Sequence, residues 1–103
     1  MIESVTLTQK PAVRPLGRPD LTLHELDGEA LIYDPTSAGT HRLNPTALFI
    51  WRKCDGTRDA AVIAEELAEV YDVPPDAALE HVEQMLHEFA KNNLVMTADG
   101  PSH

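Results

Sequence analysis

The stretch THRLNPTALFIWRKCDGT, residues 40–57, marks a change from one kind of secondary structure to another. Residues 40–43 alternate as a strand does, with His41 and Leu43 on one face and Thr40 and Arg42 on the other. From residue 44 the apolar residues recur at the i, i+3, i+4 and i+7 positions of a helix. These residues are Ala47, Ile50, Trp51 and Cys54. The stretch therefore joins a sheet to a helix, and we predict an architectural role for it, with Ile50 and Trp51 packing the two layers together.

The predicted helix has recognisable ends. Asn44 or Thr46 can cap its start, and Pro45 suits its first turn. Gly56 can adopt the left-handed conformation, so Asp55-Gly56 is predicted to end it. Cys54 lies in the apolar stripe and has no second cysteine to pair with, so we predict a buried, inert thiol.

Two turn signals divide the preceding segment into three strands. Asp27-Gly28 separates LTLHEL from EALIYD, and such a pair between two β-type runs is typical of a hairpin. Residues 35–39, PTSAG, form a second turn before THRL. Residues 21–43 are therefore predicted to form a three-stranded antiparallel meander.

Two further helices follow the first. One is predicted over about residues 58–71, capped by Thr57 or Asp59, and the other over about residues 75–92. The long last helix carries a second apolar stripe, rotated from its main one and containing Val82, Met85 and Phe89. Asn93–Met96 can form a short closing strand. The order β-β-β-α-α-α, with that possible final strand, predicts a winged-helix-like α+β domain.

The domain is expected to occupy residues 21–96. Residues 1–20 contain Pro11, Pro15 and Pro19 and are predicted to be an extended arm, either a loose tail or a segment that docks on the domain or on a second copy. Residues 97–103 are predicted to be a polar tail. The residues leave the oligomeric state open.

Composition narrows the class of protein. A chain of 103 residues that is 43% hydrophobic fits one globular domain. No apolar run approaches the roughly 18–20 residues of a membrane span, and the N-terminus lacks a secretory apolar core. The single cysteine indicates a reducing compartment. We therefore expect a cytoplasmic protein with no membrane partner.

Charge argues against a nucleic-acid partner. The net charge is −9, and residues 55–103 hold eleven acids against Arg58 and Lys91. A phosphate backbone selects for clustered Lys and Arg, which this half of the chain lacks. The acidic surface serves either solubility alone or attraction of a basic partner segment.

Catalytic signals are missing from the sequence. The five histidines form no HExxH or carboxylate–His pattern, and His81 and His87 are six residues apart on a helix. There is no CxxC pair, Gly-rich phosphate loop or Ser-His-Asp set. We therefore predict a protein that is not an enzyme and that holds neither a metal nor a cofactor.

The motifs in this order resemble the PqqD-like family of peptide chaperones, also called RiPP recognition elements. The resemblance covers about residues 11–96, including the hairpin ELDGEALIYDP. The matching positions are Leu43-Asn44, Thr46-Ala47, Ile50-Trp51, Asp55-Gly56, Ile63 and Leu67, and the run from Leu79 to Leu94.

The resemblance implies a function. Proteins of this kind bind the leader of a ribosomally made precursor peptide as an added strand, a mode called β-augmentation. They present it to a modifying enzyme, often a radical SAM enzyme. Carried over to this sequence, the binding edge is Thr40, His41, Arg42 and Leu43, and the floor is Val82, Met85 and Phe89.

Other interpretations stay open from the residues alone. Val82 and Phe89 belong to both stripes of the last helix, so core packing also explains them. The chain could also be an interaction subunit without leader selectivity, or a winged-helix DNA binder. The glutamates of the last two helices disfavour DNA binding.

Overall fold

The computed structural model describes residues 14–97. Most of the predicted arm, residues 1–13, and all but residue 97 of the predicted tail lie outside the described residues. The elements along the chain are β1 (Pro15–Gly17), β2 (Thr22–Leu26), β3 (Glu29–Asp34), β4 (Gly39–Leu43), α1 (Pro45–Arg52), α2 (Ala60–Tyr71), α3 (Pro75–Lys91) and β5 (Val95–Thr97). The predicted α+β fold, with its short final strand, is confirmed.

Strands β2, β3 and β4 form an antiparallel sheet in that order, as the meander prediction requires. Asp27 and Gly28 both have positive φ, 55° and 82°, which is the two-residue turn that matches strand twist. Along β3, Ala30, Ile32 and Asp34 are buried while the residues between them are exposed. One face of the sheet therefore packs on the helices and the other faces solvent.

Side-chain caps position the first two helices. Asn44 Oδ1 accepts a hydrogen bond from the Ala47 N–H at 2.8 Å, and Asp59 Oδ1 accepts one from the Val62 N–H at 3.0 Å. The caps are therefore Asn44 and Asp59, and each satisfies a free N–H of a first turn. The prediction that Asp55-Gly56 ends α1 is wrong, because α1 ends at Arg52 and is closed by Lys53.

Strands β1 and β5 form a separate two-stranded antiparallel sheet. The residues of β1 fall in the predicted extended arm, for which docking on the domain was one of the interpretations left open. Gly56, with φ 84°, turns the chain after α1. Its N–H donates a hydrogen bond to the Pro15 carbonyl at 2.9 Å, and the Gly17 N–H donates one to the Cys54 carbonyl at 2.9 Å. The loop after α1 therefore serves to hold β1 against the domain.

Arg18 fastens this N-terminal segment to the sheet. Its guanidinium donates to both carboxylate oxygens of Asp34, at 2.9 and 3.2 Å, and to the carbonyl of Asn93 at 2.9 Å. Asp34 is the buried charged residue of the described chain. The hydrogen bonds from Arg18 lower the pKa of Asp34, because they favour its ionised form.

The core lies between the sheet and the three helices. Ile32, Ile50, Ile63, Val82 and Leu94 are at most 1% exposed. Ile50 thus packs as predicted, while Trp51 is half-buried.

The only tryptophan and cysteine both serve this packing. The Trp51 ring meets that of Phe89 edge to face at 5.5 Å between centroids. Cys54 is buried, its thiol donates to Ile50 O at 3.3 Å, and burial raises its pKa to about 12.

Within residues 14–97, no helix is both long and apolar enough to cross a membrane.

Candidate functional site

A groove of about 420 Å³ separates strand β4 from the C-terminal half of helix α3. We call it the peptide groove. Its strand side consists of residues 40–43, and its helix side includes Met85, Glu88, Phe89 and Asn92. Asn44, Ala47 and Leu94 also line it. The fold produces this groove because Asn44 turns the chain directly from β4 into α1, which leaves the far edge of β4 open.

Strand β4 is an edge strand of its sheet among the residues that the structure describes. In an antiparallel ladder, residues alternate between pairs that exchange both main-chain hydrogen bonds and pairs that exchange none. Leu26 and Glu29 flank the two-residue turn after β2, and a turn of this length is closed by a pair that exchanges both hydrogen bonds.

Following this alternation across β3 makes Ile32 and His41 a bonded pair, and leaves Thr40 and Arg42 unbonded to β3. The main-chain N–H and C=O groups of Thr40 and Arg42 therefore point to the open edge.

The side chains of the strand alternate as the sequence predicts. Leu43 is buried, His41 is half-buried on the same face, and Thr40 and Arg42 are exposed on the other face. Arg42 lies 3.6 Å from Glu29 with 79% of its side chain exposed, so this ion pair is weak. The strand therefore presents main-chain groups, an apolar base at Leu43 and the imidazole of His41.

The helix side supplies an apolar floor. Phe89 is 2% exposed and is held in place by Trp51, while Met85 is half-buried beside it. Glu88, on the same side, is exposed and is the one acidic residue among residues 14–97 that lines the groove. Val82 is fully buried and lies in the core rather than in the groove.

The structure thus brings together six of the seven expected site residues and leaves out Val82. It adds Asn44, Ala47, Glu88, Asn92 and Leu94, which the sequence prediction did not include. Two of these had a usable signal, because Glu88 and Asn92 stand three and seven positions after Met85 and so share its helix face. The other three line the groove because of how α1 and the end of α3 pack.

The groove combines an open strand edge with an apolar floor. Among residues 14–97 there is no group of three His, Cys, Asp or Glu side chains that could hold a metal. The one thiol is buried, and its raised pKa keeps it protonated at neutral pH. An open strand edge beside an apolar floor can accept an extended peptide, with main-chain bonds on one side and side-chain contacts on the other.

Solved structures share this fold. TbiB1 in complex with the TbiA(beta) leader peptide matches with a TM-score of 0.71 and 14% identity, over 85% of this chain and 99% of that chain. Lasso peptide synthetase B1 complexed with its leader peptide matches with a TM-score of 0.71 and 20% identity, over 81% of this chain and 98% of that chain. At these identities the likeness establishes the fold.

A third structure links the fold to one family. The PqqD truncation of Methylobacterium extorquens PqqCD, a functional and stand-alone RiPP recognition element, matches with a TM-score of 0.67 and 21% identity, over 82% of this chain and 88% of that chain. No curated protein matches the sequence. The family model for coenzyme PQQ synthesis protein D (PqqD) matches residues 29–95, from β3 to the first residue of β5. Because that match spans more than half of the chain, this protein belongs to the PqqD family.

Proposed function

We propose that this protein is a non-catalytic adaptor that binds the leader of a ribosomally made precursor peptide and presents it to a modifying enzyme. The observation that carries the proposal is the open edge of β4 beside the peptide groove. An exposed edge is an aggregation liability that natural proteins usually block, so an edge kept open beside a groove favours a binding role. The leader-peptide complexes of TbiB1 and lasso peptide synthetase B1, which share the fold, support the same role.

In this proposal the leader adds a fourth strand to the sheet. The main-chain groups of Thr40 and Arg42 bond its backbone, and its alternate side chains enter the peptide groove. Phe89 and Met85 form the apolar floor, and the flexible thioether of Met85 adapts to the side chain above it. Val82 contributes from below, by filling the core that holds α3 in place.

The charges of the groove suggest how the leader is oriented. Arg42 lies on its strand side, and Glu88 lies on its helix side. A leader with an acidic side chain toward the strand and a basic one toward the helix complements both. Exposed pairs of this kind select between partners more than they add affinity.

The proposal extends to the class of the partner enzyme and to the place where it acts. The family resemblance favours a radical SAM enzyme that acts in the cytoplasm, where precursor peptides are made. The adaptor would act by raising the local concentration of the leader at that enzyme. The chain itself needs no bound metal or cofactor for this role.

An NMR titration tests the proposal. The isotope-labelled full chain is titrated with synthetic leader peptides of the precursor genes encoded beside its own gene, and with scrambled peptides of the same composition. We expect saturable shifts of the amides of residues 40–43 together with those of residues 85–92, from a true leader only. Shifts along β2, at the other edge of the sheet, or equal shifts with scrambled peptides would contradict the proposal.

A further inference from the structure

A second cleft lies at the corner where α1 begins, α2 ends and α3 begins. It has a volume of about 400 Å³, and we call it the corner pocket. Leu67 and Ala78, 3% and 1% exposed, form its floor. Tyr71 and Val73 stand at its rim and are 42% and 37% exposed, so the pocket opens to solvent between two largely apolar side chains.

The corner pocket continues the peptide groove along α3. The residues of α3 and its C-terminal cap that line the two clefts include Ala78, His81, Met85, Glu88 and Asn92, spaced by three or four positions. Residues with this spacing form one stripe on a helix. On α1, the neighbouring residues Thr46 and Ala47 line the corner pocket and the peptide groove respectively. One turn of α3 thus separates the two clefts, and both open along the same helix face.

We infer that the corner pocket is a second subsite for the leader, which takes an apolar side chain from outside the segment that pairs with β4. This inference rests on the proposed function. The pocket lies past the C-terminal end of β4, because the chain runs from Leu43 through Asn44 directly to Thr46. A leader strand that passes this end of β4 leaves the sheet and meets the pocket next.

The spacing of the two clefts defines where that side chain stands. Their α3 linings are centred about nine residues apart, or about 14 Å at 1.5 Å per residue. An extended peptide covers about 3.3–3.6 Å per residue, so the anchoring side chain stands about four residues from the middle of the paired segment, or about two residues beyond its end. With this subsite, the protein recognises a longer segment of the leader than the part that pairs with β4.

The lining of the pocket defines the chemical class of that side chain. Among residues 14–97, neither a carboxylate nor a Lys or Arg side chain lines the pocket, and its polar groups are His81 and the hydroxyls of Thr46 and Tyr71. A charged side chain would lose hydration there without gaining a partner. A large aliphatic or aromatic side chain instead gains the burial of its own surface and covers Tyr71 and Val73.

Two matched substitutions test the inference. Val73→Asp places a charge at the rim of the pocket, and Val70→Asp places the same charge three residues away, at a position that is 61% exposed and does not line it. A second blocking variant, Ala77→Glu, adds an acid to the first turn of α3, where the helix dipole tolerates it. Thermal unfolding of each variant establishes that it is folded.

The readout is the fluorescence anisotropy of labelled synthetic leaders. Each variant is measured with the whole leader and with leaders that lack the residues beyond the β4-paired segment at either end. We expect Val73→Asp and Ala77→Glu to lower the affinity for the whole leader at least about tenfold, which is about 1.4 kcal/mol of binding free energy. Val70→Asp should stay within about twofold of the unsubstituted protein. With the leader that lacks the anchoring flank, all of these proteins should bind alike.

Two results would overturn the inference while leaving the proposed function intact. One is equal affinity of Val73→Asp and Val70→Asp for the whole leader. The other is a loss with Val73→Asp that persists when both flanks of the leader are removed. If the unsubstituted protein binds no leader at all, the proposed function fails and the second subsite fails with it.

Discussion

The substitution Arg42→Pro isolates the main-chain bond on which leader capture depends. Proline removes the N–H of residue 42 and puts ring carbons where that hydrogen pointed. Because this N–H faces the open edge, the ladder between β3 and β4 keeps its bonds, and edge strands accept proline in such positions. The preceding residue, His41, is already in a strand, which is the conformation that proline imposes on it. The variant should therefore fold.

The expected loss follows from one unmade hydrogen bond. A leader carbonyl left without its donor in a partly shielded site costs about 1–2 kcal/mol, or about fivefold to thirtyfold in Kd. Arg42→Ala is the matched control, since it removes the side chain but keeps the N–H. The Arg42 side chain is 79% exposed and its ion pairs are therefore weak, so this control should lower the binding free energy of the leader by about 0.5 kcal/mol or less.

A second proline controls for general damage to the sheet. By the same alternation, the N–H of Glu25 on β2 points to the opposite edge, and Glu25→Pro should leave leader affinity unchanged. Isothermal titration calorimetry with the synthetic leader gives each Kd, and circular dichroism melts report folding. If Arg42→Pro is folded and binds as tightly as Arg42→Ala, the leader does not pair with β4 and the proposed binding mode is refuted.

Three further predictions concern stability and reactivity. Gly17→Ala should lower the free energy of unfolding by about 1–2 kcal/mol in urea titrations, because a Cβ there would lie 2.8 Å from the Trp51 ring; unchanged stability would contradict that contact. The difference in free energy of unfolding between wild type and Asp34→Asn should shrink as pH falls below about 4, because Arg18 lowers the folded-state pKa of Asp34. The stability that the carboxylate contributes is fully present above its unfolded-state pKa and is lost as pH falls through its folded-state pKa. A constant difference between about pH 7 and pH 3 would argue otherwise. Iodoacetamide should label Cys54 at about pH 8 at least about a hundredfold more slowly in the native protein than in urea, and comparable rates would show that the thiol is accessible.

The sequence alone determined the elements whose causes are local. The alternation of residues 40–43, the turn at Asp27-Gly28 and the candidate caps of the first two helices each depend on residues within a few positions of one another, although the structure was needed to choose Asn44 over Thr46 and Asp59 over Thr57. Their order was enough to predict the sheet and the helices, whereas the expectation of a peptide site between β4 and α3 came from the family resemblance. Alternation assigned Thr40 and Arg42 to one face of the strand and His41 and Leu43 to the other, and the resemblance made residues 40–43 the binding edge.

Only the tertiary structure decided the features that join distant parts of the chain. Strand β1 forms because β5 and the loop after α1 offer it partners, and Arg18 meets Asp34 only once both are in place. Periodicity puts Val82, Met85 and Phe89 in one stripe, and the packing of α1 and α2 on α3 then buries Val82 and leaves Met85 facing the groove. A sequence pattern specifies a face of a helix, but which part of that face stays open is decided by the elements that pack against it.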